Sequence, residues 1–439
     1  MIVLSHFHRV ASASLANHRH YAARYGYRHE WVDASRFPET LPLRCLYRYE
    51  VLLNVLRHAA PDELVLLLSE DAAIVDPMPL DDLMTGRDWL LVMTASHGLP
   101  QVDVQIWRNT ARVREIVFRT IKRCRLGGEP LESEAELLAG LDTHPGMQTI
   151  GGVHVVMSTG YNVDPAWTRE RTFAISIDDE WENPRCKGTS PRFRDVLVEH
   201  VNRHQRSGFP MFSFPQYMQY AQDDCAERSV YNPGCSIALM TLYTPNIAAY
   251  ARIAERNFRR YCDMHSYTLY VHREIPSEIG LDASGNWFKP WLLHGYMQHH
   301  GWVVWLDADV LIGEMQQKLE PLMEGRNSLL AHDVGQWPFN SGVMGFRRTG
   351  QNDAMLRDLM DRIAALADRS HVYASDGDQL YFIRALERAG LLDEGEILDL
   401  VTLNTPWSLR QPDSFIVHYY GMWAEMRTMM MAHDDAHLS

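Results

Sequence analysis

Four groups of polar residues in the second half of this 439-residue chain have the types and spacing to act on one ligand. Asp307-Ala308-Asp309 follows the apolar run Trp302-Val303-Val304-Trp305-Leu306. Two acids at the carboxyl end of a buried strand emerge together at the mouth of an α/β crevice. They repel unless a hard cation lies between them and a partner anion, and such an oxygen-rich site suits Mn²⁺ or Mg²⁺ carrying a diphosphate. Asp-x-Asp alone is a weak pattern, and most matches are solvated turn acids; its place after a hydrophobic strand gives it weight. Asn340-Ser341-Gly342 sets amide and hydroxyl donors beside a glycine where a backbone can approach a polar ligand, with a tight turn as the plain alternative. Asp376-Gly377-Asp378-Gln379 opens a helix running to about Arg388, so its side chains point out from a helix N-terminus. Ser375 with Asp378 also fits a capping box. His418, after Phe415-Ile416-Val417, could deliver a neutral imidazole as a third metal ligand.

The elements that must position these groups follow a strand-helix alternation. The spacing predicts a strand over 237–243, a helix from Thr244-Pro245 with apolar residues at Ile247, Tyr250, Ala251, Ala254, Phe258 and Tyr261, and a strand over 267–272. A helix over 290–299 and a buried strand over 303–306 come next. This progression implies an α/β fold with a parallel, doubly wound sheet. The first half repeats the plan: strand 2–4, helix 13–25 ending before Gly26-Tyr27 as the later helix ends before Ser266-Tyr267, helix 47–58 and buried strand 64–68. Aligning Leu68 with Leu306 places Ser69 on Asp307 and Asp71 on Asp309, so the first carboxylate is missing. Gln101-Val102-Asp103 then falls on Asn340-Ser341-Gly342, and Ile106-Trp107-Arg108 on Gly345-Phe346-Arg347. The expectation is two tandem domains, 1–228 and 229–439, against an alternative of two unrelated α/β domains. Between them, 183–191 reads as a loop and 195–204 as a helix.

Composition narrows the partners. With 46% hydrophobic and 22% charged residues the chain is globular rather than disordered. Its net charge of -14 repels polyanions, which argues against nucleic acid and leaves a small anionic ligand needing a local countercharge such as a metal. No leader peptide and no apolar run of about 20 residues is read, so the expectation is a cytoplasmic protein whose only membrane contact would be peripheral. Six scattered cysteines without a Cys-x-x-Cys pair suit reduced thiols. His6, His8, His18, His20, Tyr21, Tyr25, Tyr27 and Trp31 are compatible with sugar stacking, but their spacing fits a packed helix face better.

The series Trp287-Phe288-Lys289-Pro290, Trp305-Leu306-Asp307-Ala308-Asp309, Phe339-Asn340-Ser341-Gly342, Asp378-Gln379 and His418-Tyr419-Tyr420-Gly421 resembles glycosyltransferase family 34, the galactosyl-, mannosyl- and xylosyltransferases. The resemblance spans roughly 236–422 and implies a GT-A fold, with the first half a degenerate copy. It implies a retaining transfer of a hexose or pentose from a nucleotide sugar, UDP-sugar favoured over GDP-sugar, with Mn²⁺ or Mg²⁺ as cofactor. Asp307, Asp309 and His418 match metal ligands. Asp378 and Gln379, with Asp376 beside them, match the catalytic pair near the reacting sugar. Lys289 matches a residue near the diphosphate and Asn340 one near the donor sugar; Asp307, Ser341, Gly342 and Gly421 complete the expected donor-binding set. Unlike the eukaryotic members, this chain reads without a signal anchor and with an extra domain in front, which leaves the acceptor open. A cytosolic enzyme building a surface polysaccharide or glycolipid would fit.

Retention could come from front-face attack or from a covalent intermediate on Asp378 or Asp376. In the first half, Ser69 in place of an acid favours a domain that supports the second or helps hold an acceptor glycan. Glu70 and Asp71 leave open a second active transferase. The competing classes are a non-catalytic glycan-binding protein and a metal-dependent phosphohydrolase, the latter lacking an identifiable water-activating base.

Overall fold

The computed structural model describes residues 1–37, 40–91, 99–126, 131–143, 153–156, 173–177, 189–207, 226–335, 337–370, 377–411, 413–420 and 424–438. The chain divides into two compact units, Met1–Phe212 and Ser213–Ser439.

In the first unit, strands β1 (Ile2–Phe7), β2 (Arg28–Asp33), β3 (Leu64–Leu68), β4 (Ala72–Ile74), β5 (Trp89–Leu90), β6 (Val104–Arg108), β7 (Val153–Val156) and β8 (Ala174–Ile177) form two sheets. The larger runs β2-β1-β3-β6-β5, parallel across β2, β1 and β3 and antiparallel at β6 and β5. The smaller runs β4-β8-β7, with β4 antiparallel to β8 and β8 parallel to β7. Every residue of β1 and β3 is buried, as continuous apolar runs covered on both faces require. The helices are α1 (Ser12–Tyr25), α2 (Leu41–His58), α3 (Ala111–Leu126), α4 (Glu134–Leu138) and α5 (Thr189–Ser207). Tyr21 of α1 packs into one apolar cluster with Val3, Leu66 and Ile106, while Tyr49 and Leu52 of α2 and Val113 of α3 pack into another with Leu4, Val65 and Trp107. Pro42 sits in the first turn of α2, where a missing N–H costs nothing, so this helix starts earlier than the expected residue 47. Thr189, Ser190 and Pro191 open α5 rather than closing a loop; the rest of that segment, 183–188, lies outside the described residues.

The second unit holds β9 (Arg228–Tyr231), β10 (Ile237–Leu242), β11 (Thr268–His272), β12 (Trp302–Leu306), β13 (Val310–Ile312), β14 (Ser328–Leu329), β15 (Val343–Arg347), β16 (Thr405–Pro406) and β17 (Ile416–His418). Its larger sheet runs β14-β15-β12-β10-β11-β9, and its smaller one β13-β17-β16. The central strands β11, β10 and β12 are parallel, as expected, but β15, β14 and β9 are antiparallel. Between β12 and β15 the chain carries only short strands and the single turn Glu320–Met323, with no long crossover helix to return it to the amino edge. The helices are α6 (Ala248–His265), α7 (Lys289–Met297), α8 (Gly350–Ala364), α9 (Asp378–Ala389) and α10 (Ala424–Ala436).

Apart from β9, the two units have the same strand order and directions, and their hydrogen bonds correspond. Asn17 in α1 accepts from the Ile74 N–H and donates to the Ile74 carbonyl; Asn257 in α6 does the same with Ile312. Tyr21 and Tyr261 each donate to a loop carbonyl, of Met78 and Gln317. Tyr27 and Tyr267 each accept a backbone N–H, from Leu80 and Leu319. Gly26 and Ser266, at φ 66° and 59°, close the two equivalent helices in the left-handed conformation, and only the serine has a Cβ to strain there.

Cys45, Cys124, Cys235 and Cys262 are free thiols; Cys186 and Cys225 lie outside the described residues. Among the described residues no helix is long and apolar enough to cross a membrane.

Candidate active site

At the carboxyl edge of β12 the chain turns through Asp307-Ala308-Asp309 into β13, which pairs with β17 so that Val310 lies opposite His418. That pairing brings the two acids to a histidine more than a hundred residues away. One ligand atom from each of Asp307, Asp309 and His418 lies within 4.8 Å of the others. Gly342 makes room for the imidazole: a Cβ there would come within 2.2 Å of His418 Cε1.

The imidazole is oriented from behind. Asn340 Oδ1 accepts from the Gly342 N–H (2.9 Å) and from Asn404 Nδ2 (2.9 Å), which turns Asn404 Oδ1 toward His418 Nδ1 at 3.1 Å. In this assignment Nδ1 carries the proton and the Nε2 lone pair faces Asp309 Oδ1 at 3.1 Å. Two acceptors that close call for a cation between them. Burial alone would raise the Asp309 pKa, but the Arg427 guanidinium, 3.3 Å from its Oδ2, opposes burial and holds it below the usual carboxylate range. Burial and the neighbouring Asp309 raise Asp307, against the opposing charge of Lys289. The donor set of two carboxylate oxygens and one oriented imidazole nitrogen fits Mn²⁺ or Mg²⁺.

Beside this triad lies a second charged group. Lys289 opens α7, and its Nζ is 2.9 Å from Asp307 Oδ1 and 3.0 Å from Asp378 Oδ2 and donates to the Ser341 carbonyl at 3.2 Å. Burial favours the neutral amine, yet the two carboxylates outweigh it and keep Lys289 charged beyond its ordinary range. All three ammonium N–H groups therefore face protein oxygens. Asp378 is the first residue of α9, where the helix dipole favours its charge, and it also accepts from Ser341 Oγ at 3.2 Å. The N-cap is Gly377 with no side-chain cap, so Asp378 is not held in a capping box. Gln379 Oε1 accepts from the Ser341 N–H at 3.0 Å.

The structure thus gathers Lys289, Asp307, Asp309, Asn340, Ser341, Gly342, Asp378, Gln379 and His418 around one strand edge. Asp376 and Gly421 lie outside the described residues. Sequence reasoning missed Asn404 and Arg427. Neither belongs to a motif, and each is defined only by what β17 brings near it.

The first unit has the same edge with different chemistry. Arg48 takes the place of Lys289, donating to the Val102 carbonyl (2.9 Å) and pairing with Glu134 (3.0 Å), which opens α4 as Asp378 opens α9. Gln101 Oε1 accepts from the Asp103 N–H as Asn340 does from Gly342. Asp71 pairs with Arg194 of α5 at 2.9 Å, as Asp309 pairs with Arg427 of α10. Ser69 stands for Asp307, and Ser176, opposite Ala72 in β4, stands for His418 opposite Val310. Asp103 stands for Gly342, and its carboxylate fills the space of the absent imidazole, accepting from Ser69 (2.7 Å) and Ser176 (2.5 Å).

No family model and no curated protein matches this chain. Solved structures similar to it include a glycosyltransferase involved in glycosylation of the major capsid of PBCV-1, 18% identical over 45% of this chain and 99% of that one, with a TM-score of 0.37. The galactosyltransferase LgtC, in complex with donor and acceptor sugar analogues, is 13% identical over 45% of this chain and 95% of its own, with a TM-score of 0.32. Mouse xyloside xylosyltransferase 1, in its apo form, is 14% identical over 42% and 97%, with a TM-score of 0.27. The functional reading rests on the geometry of the site.

Proposed function

We propose that the second unit is a metal-dependent GT-A glycosyltransferase domain that moves a hexose or pentose from a UDP- or GDP-sugar to a glycan or glycolipid acceptor. The observation that carries this is the convergence of Asp307, Asp309 and an amide-oriented His418 within 4.8 Å at the carboxyl edge of the sheet. These three residues would hold Mn²⁺ or Mg²⁺. When bound, the ion supplies positive charge to the nucleoside diphosphate leaving group.

The chain's own residues do the rest. Asn404 and Asn340 hold the His418 tautomer, and Arg427 keeps Asp309 ionised. Lys289 acts by fixing Asp307 and Asp378 rather than by reaching the phosphates, since its donors are already engaged. Gln379, anchored through its oxygen to Ser341, has its NH₂ left to donate to a sugar hydroxyl. Asp378 is 4% exposed and tied through one oxygen by Lys289 and Ser341, a poor state for a nucleophile. That supports retention by front-face attack. The first unit, sharing the plan but holding Ser69 and Ser176 where the triad stands, is read as a duplicated copy that has lost the metal and supports the second or holds an acceptor.

The test is nucleotide release from a panel of UDP- and GDP-sugars with Mn²⁺. Release with at least one donor, abolished by EDTA and restored by Mn²⁺, is expected. Tight glycan binding with no turnover of any donor would replace this reading with a lectin-like one.

A further inference from the structure

The edge of the first unit that lost the metal triad gained cations. Strand registers place Ile2 against Val65 and Ala238 against Val303, so His6 and His8 occupy the positions of Leu242 and Thr244. The His6 and His8 rings lie 5.0 Å apart at the carboxyl end of β1, and His6 also meets Tyr47 of α2 at 5.4 Å. His6 is wholly buried, and neither of its ring nitrogens has a hydrogen-bond partner; Arg48 Nε is also buried without one. A buried polar atom left unmet is costly and marks a place for a ligand or a function.

Arg44 precedes Arg48 by one turn of α2, so both guanidiniums lie on one helix face, and both act electrostatically on His8. Arg48 is paired with Glu134, and Arg9 with Glu70 and Asp71, but the Arg44 side chain has no hydrogen-bonded or ion-paired partner among the described residues. In a chain of net charge -14, this half-buried arginine near histidines has no carboxylate bound to it among the described residues. Over this group Phe37, 44% exposed, stacks on Tyr47 with ring centroids 3.9 Å apart, presenting an aromatic face at the rim.

The balance of charge differs from that of the second unit. There, Asp307, Asp309 and Asp378 outnumber Lys289 and Arg427, and an anion needs a metal ion to approach. Here Arg9, Arg44, Arg48 and Arg194 equal Glu70, Asp71, Asp103 and Glu134 in number; Asp103 is met by Ser69, Ser176 and Gln101, and Arg44 is the arginine left without an ion pair among the described residues.

We propose that this edge of the first unit is a second ligand site, independent of divalent metal, which takes a phosphate or diphosphate ester through Arg44 and His8 and stacks the ester's ring on Phe37. Nucleotides and glycosyl phosphates share that chemistry. This site uses no residue of the triad at β12, so its test can fail while the transferase reading stands.

The test is calorimetric titration of the full-length Asp309→Ala protein in EDTA with inorganic pyrophosphate, UDP, GDP and a hexose 1-phosphate. One site per chain is expected for pyrophosphate and for at least one ester. Arg44→Ala should weaken all of them at least tenfold, Arg44→Lys should restore part of the loss, and Phe37→Ala should weaken the esters but not pyrophosphate. Tighter binding of UDP or GDP than of hexose 1-phosphate assigns a nucleotide, and the reverse a glycosyl phosphate. No binding in EDTA, or binding unchanged by both Arg44→Ala and His8→Ala, overturns the proposal.

Discussion

At the carboxyl edges of β3 and β12 the same strand plan carries different charges, balanced in the first unit and acidic in the second. Away from the ligand edge the units keep the same partners, down to the asparagine that clamps Ile74 in one and Ile312 in the other. At the edge itself, the side chains differ in pairs. Where one unit has Gly342 with His418, the other has Asp103 with Ser176, a small residue on one strand facing a larger one on the other. Any side chain in place of Gly342 would clash with His418. The difference teaches that the scaffold is held by interactions indifferent to what the edge carries, so that the acid and histidine group of one unit and the arginines and histidines of the other stand on the same sheet plan.

The largest expected effect separates the two acids that occupy the same place. Asp309→Ala should lower Mn²⁺-dependent donor turnover at least about a thousandfold, because the leaving diphosphate loses its charge stabilisation. Asp71→Ala should leave turnover within about twofold. Equal losses in the two variants, measured as nucleotide release, would show that the units share one catalytic centre and break the comparison.

Acidification should tell the units apart almost as strongly. Burial, with help from Arg48 for His6 and His8, lowers the pKa of His6 to about 2, of His8 to about 4 and of His18 to about 3. The equivalent positions in the second unit, Leu242, Thr244 and Phe258, do not titrate; in that unit burial lowers His272 to about 4. Each of these bases has a folded pKa below its unfolded value of about 6.5. The stability from keeping it neutral is therefore complete above that pH and drains away as pH falls toward the folded pKa, by about 1.4 kcal/mol per pH unit for each group. At pH 5 these histidines should have cost the first unit more than the second, while Asp71, raised by burial to about 7, takes up its proton over the same range and returns part of that loss. Hydrogen exchange resolved by segment should show β1 and α1 losing protection before β10 and α6, and His18→Phe should reduce the gap. Simultaneous loss in both units would refute the assignment.

Much of this was legible in the residues. Buried strands ending in acids are readable because an apolar run must stop where the chain meets solvent, and Asp307, Asp309 and His418 each follow such a run. The repeat carries a further trace in Asn17-His18-Arg19-His20-Tyr21 and Asn257-Phe258-Arg259-Arg260-Tyr261, where the same asparagine and tyrosine sit one helical turn apart. Asn404, Arg427 and Glu134 were not legible. They act through contacts between segments far apart in sequence, and no local pattern distinguishes them from ordinary polar residues. The orientation of Lys289 was also hidden, since a lysine beside a proline looks free until Asp307 and Asp378 close on it.

Gly342→Ala sharpens the exchange of side chains at the edge. The added methyl would meet His418 Cε1 at 2.2 Å and Nδ1 at 2.6 Å, so the ring must move off its position above Asp309. Mn²⁺ affinity should fall about 10- to 100-fold, while overpacking lowers stability by only about 1–3 kcal/mol. The reverse experiment combines Ser69→Asp, Asp103→Gly and Ser176→His in the first unit. A second Mn²⁺ per chain by titration is expected; no added binding in a folded protein would mean that the edges differ by more than these three side chains.

The smallest effect concerns the clamp the units share. Asn17→Ala and Asn257→Ala each remove an amide that satisfies both a buried N–H and a buried carbonyl of one residue, Ile74 or Ile312. Each should cost its own unit about 1–3 kcal/mol, the penalty for a buried backbone group left unmet: both groups of Ile312, and the N–H of Ile74, whose carbonyl Gln205 Nε2 still meets. The two are not identical, however. Asn17 Nδ2 also donates to the neutral Asn202, at 3.0 Å, whereas Asn257 Nδ2 donates at 3.2 Å to the carboxylate of Asp435, which Arg260 also pairs with. Hydrogen bonds to a charged acceptor are worth about twice those to a neutral one, so Asn257→Ala should be the costlier by about 1 kcal/mol. Denaturant unfolding followed by segment-resolved exchange reads each unit separately. A loss confined to the mutated unit, slightly larger in the second, is the expected result; a loss in one unit and none in the other would mean that the matching hydrogen bonds do not carry matching weight.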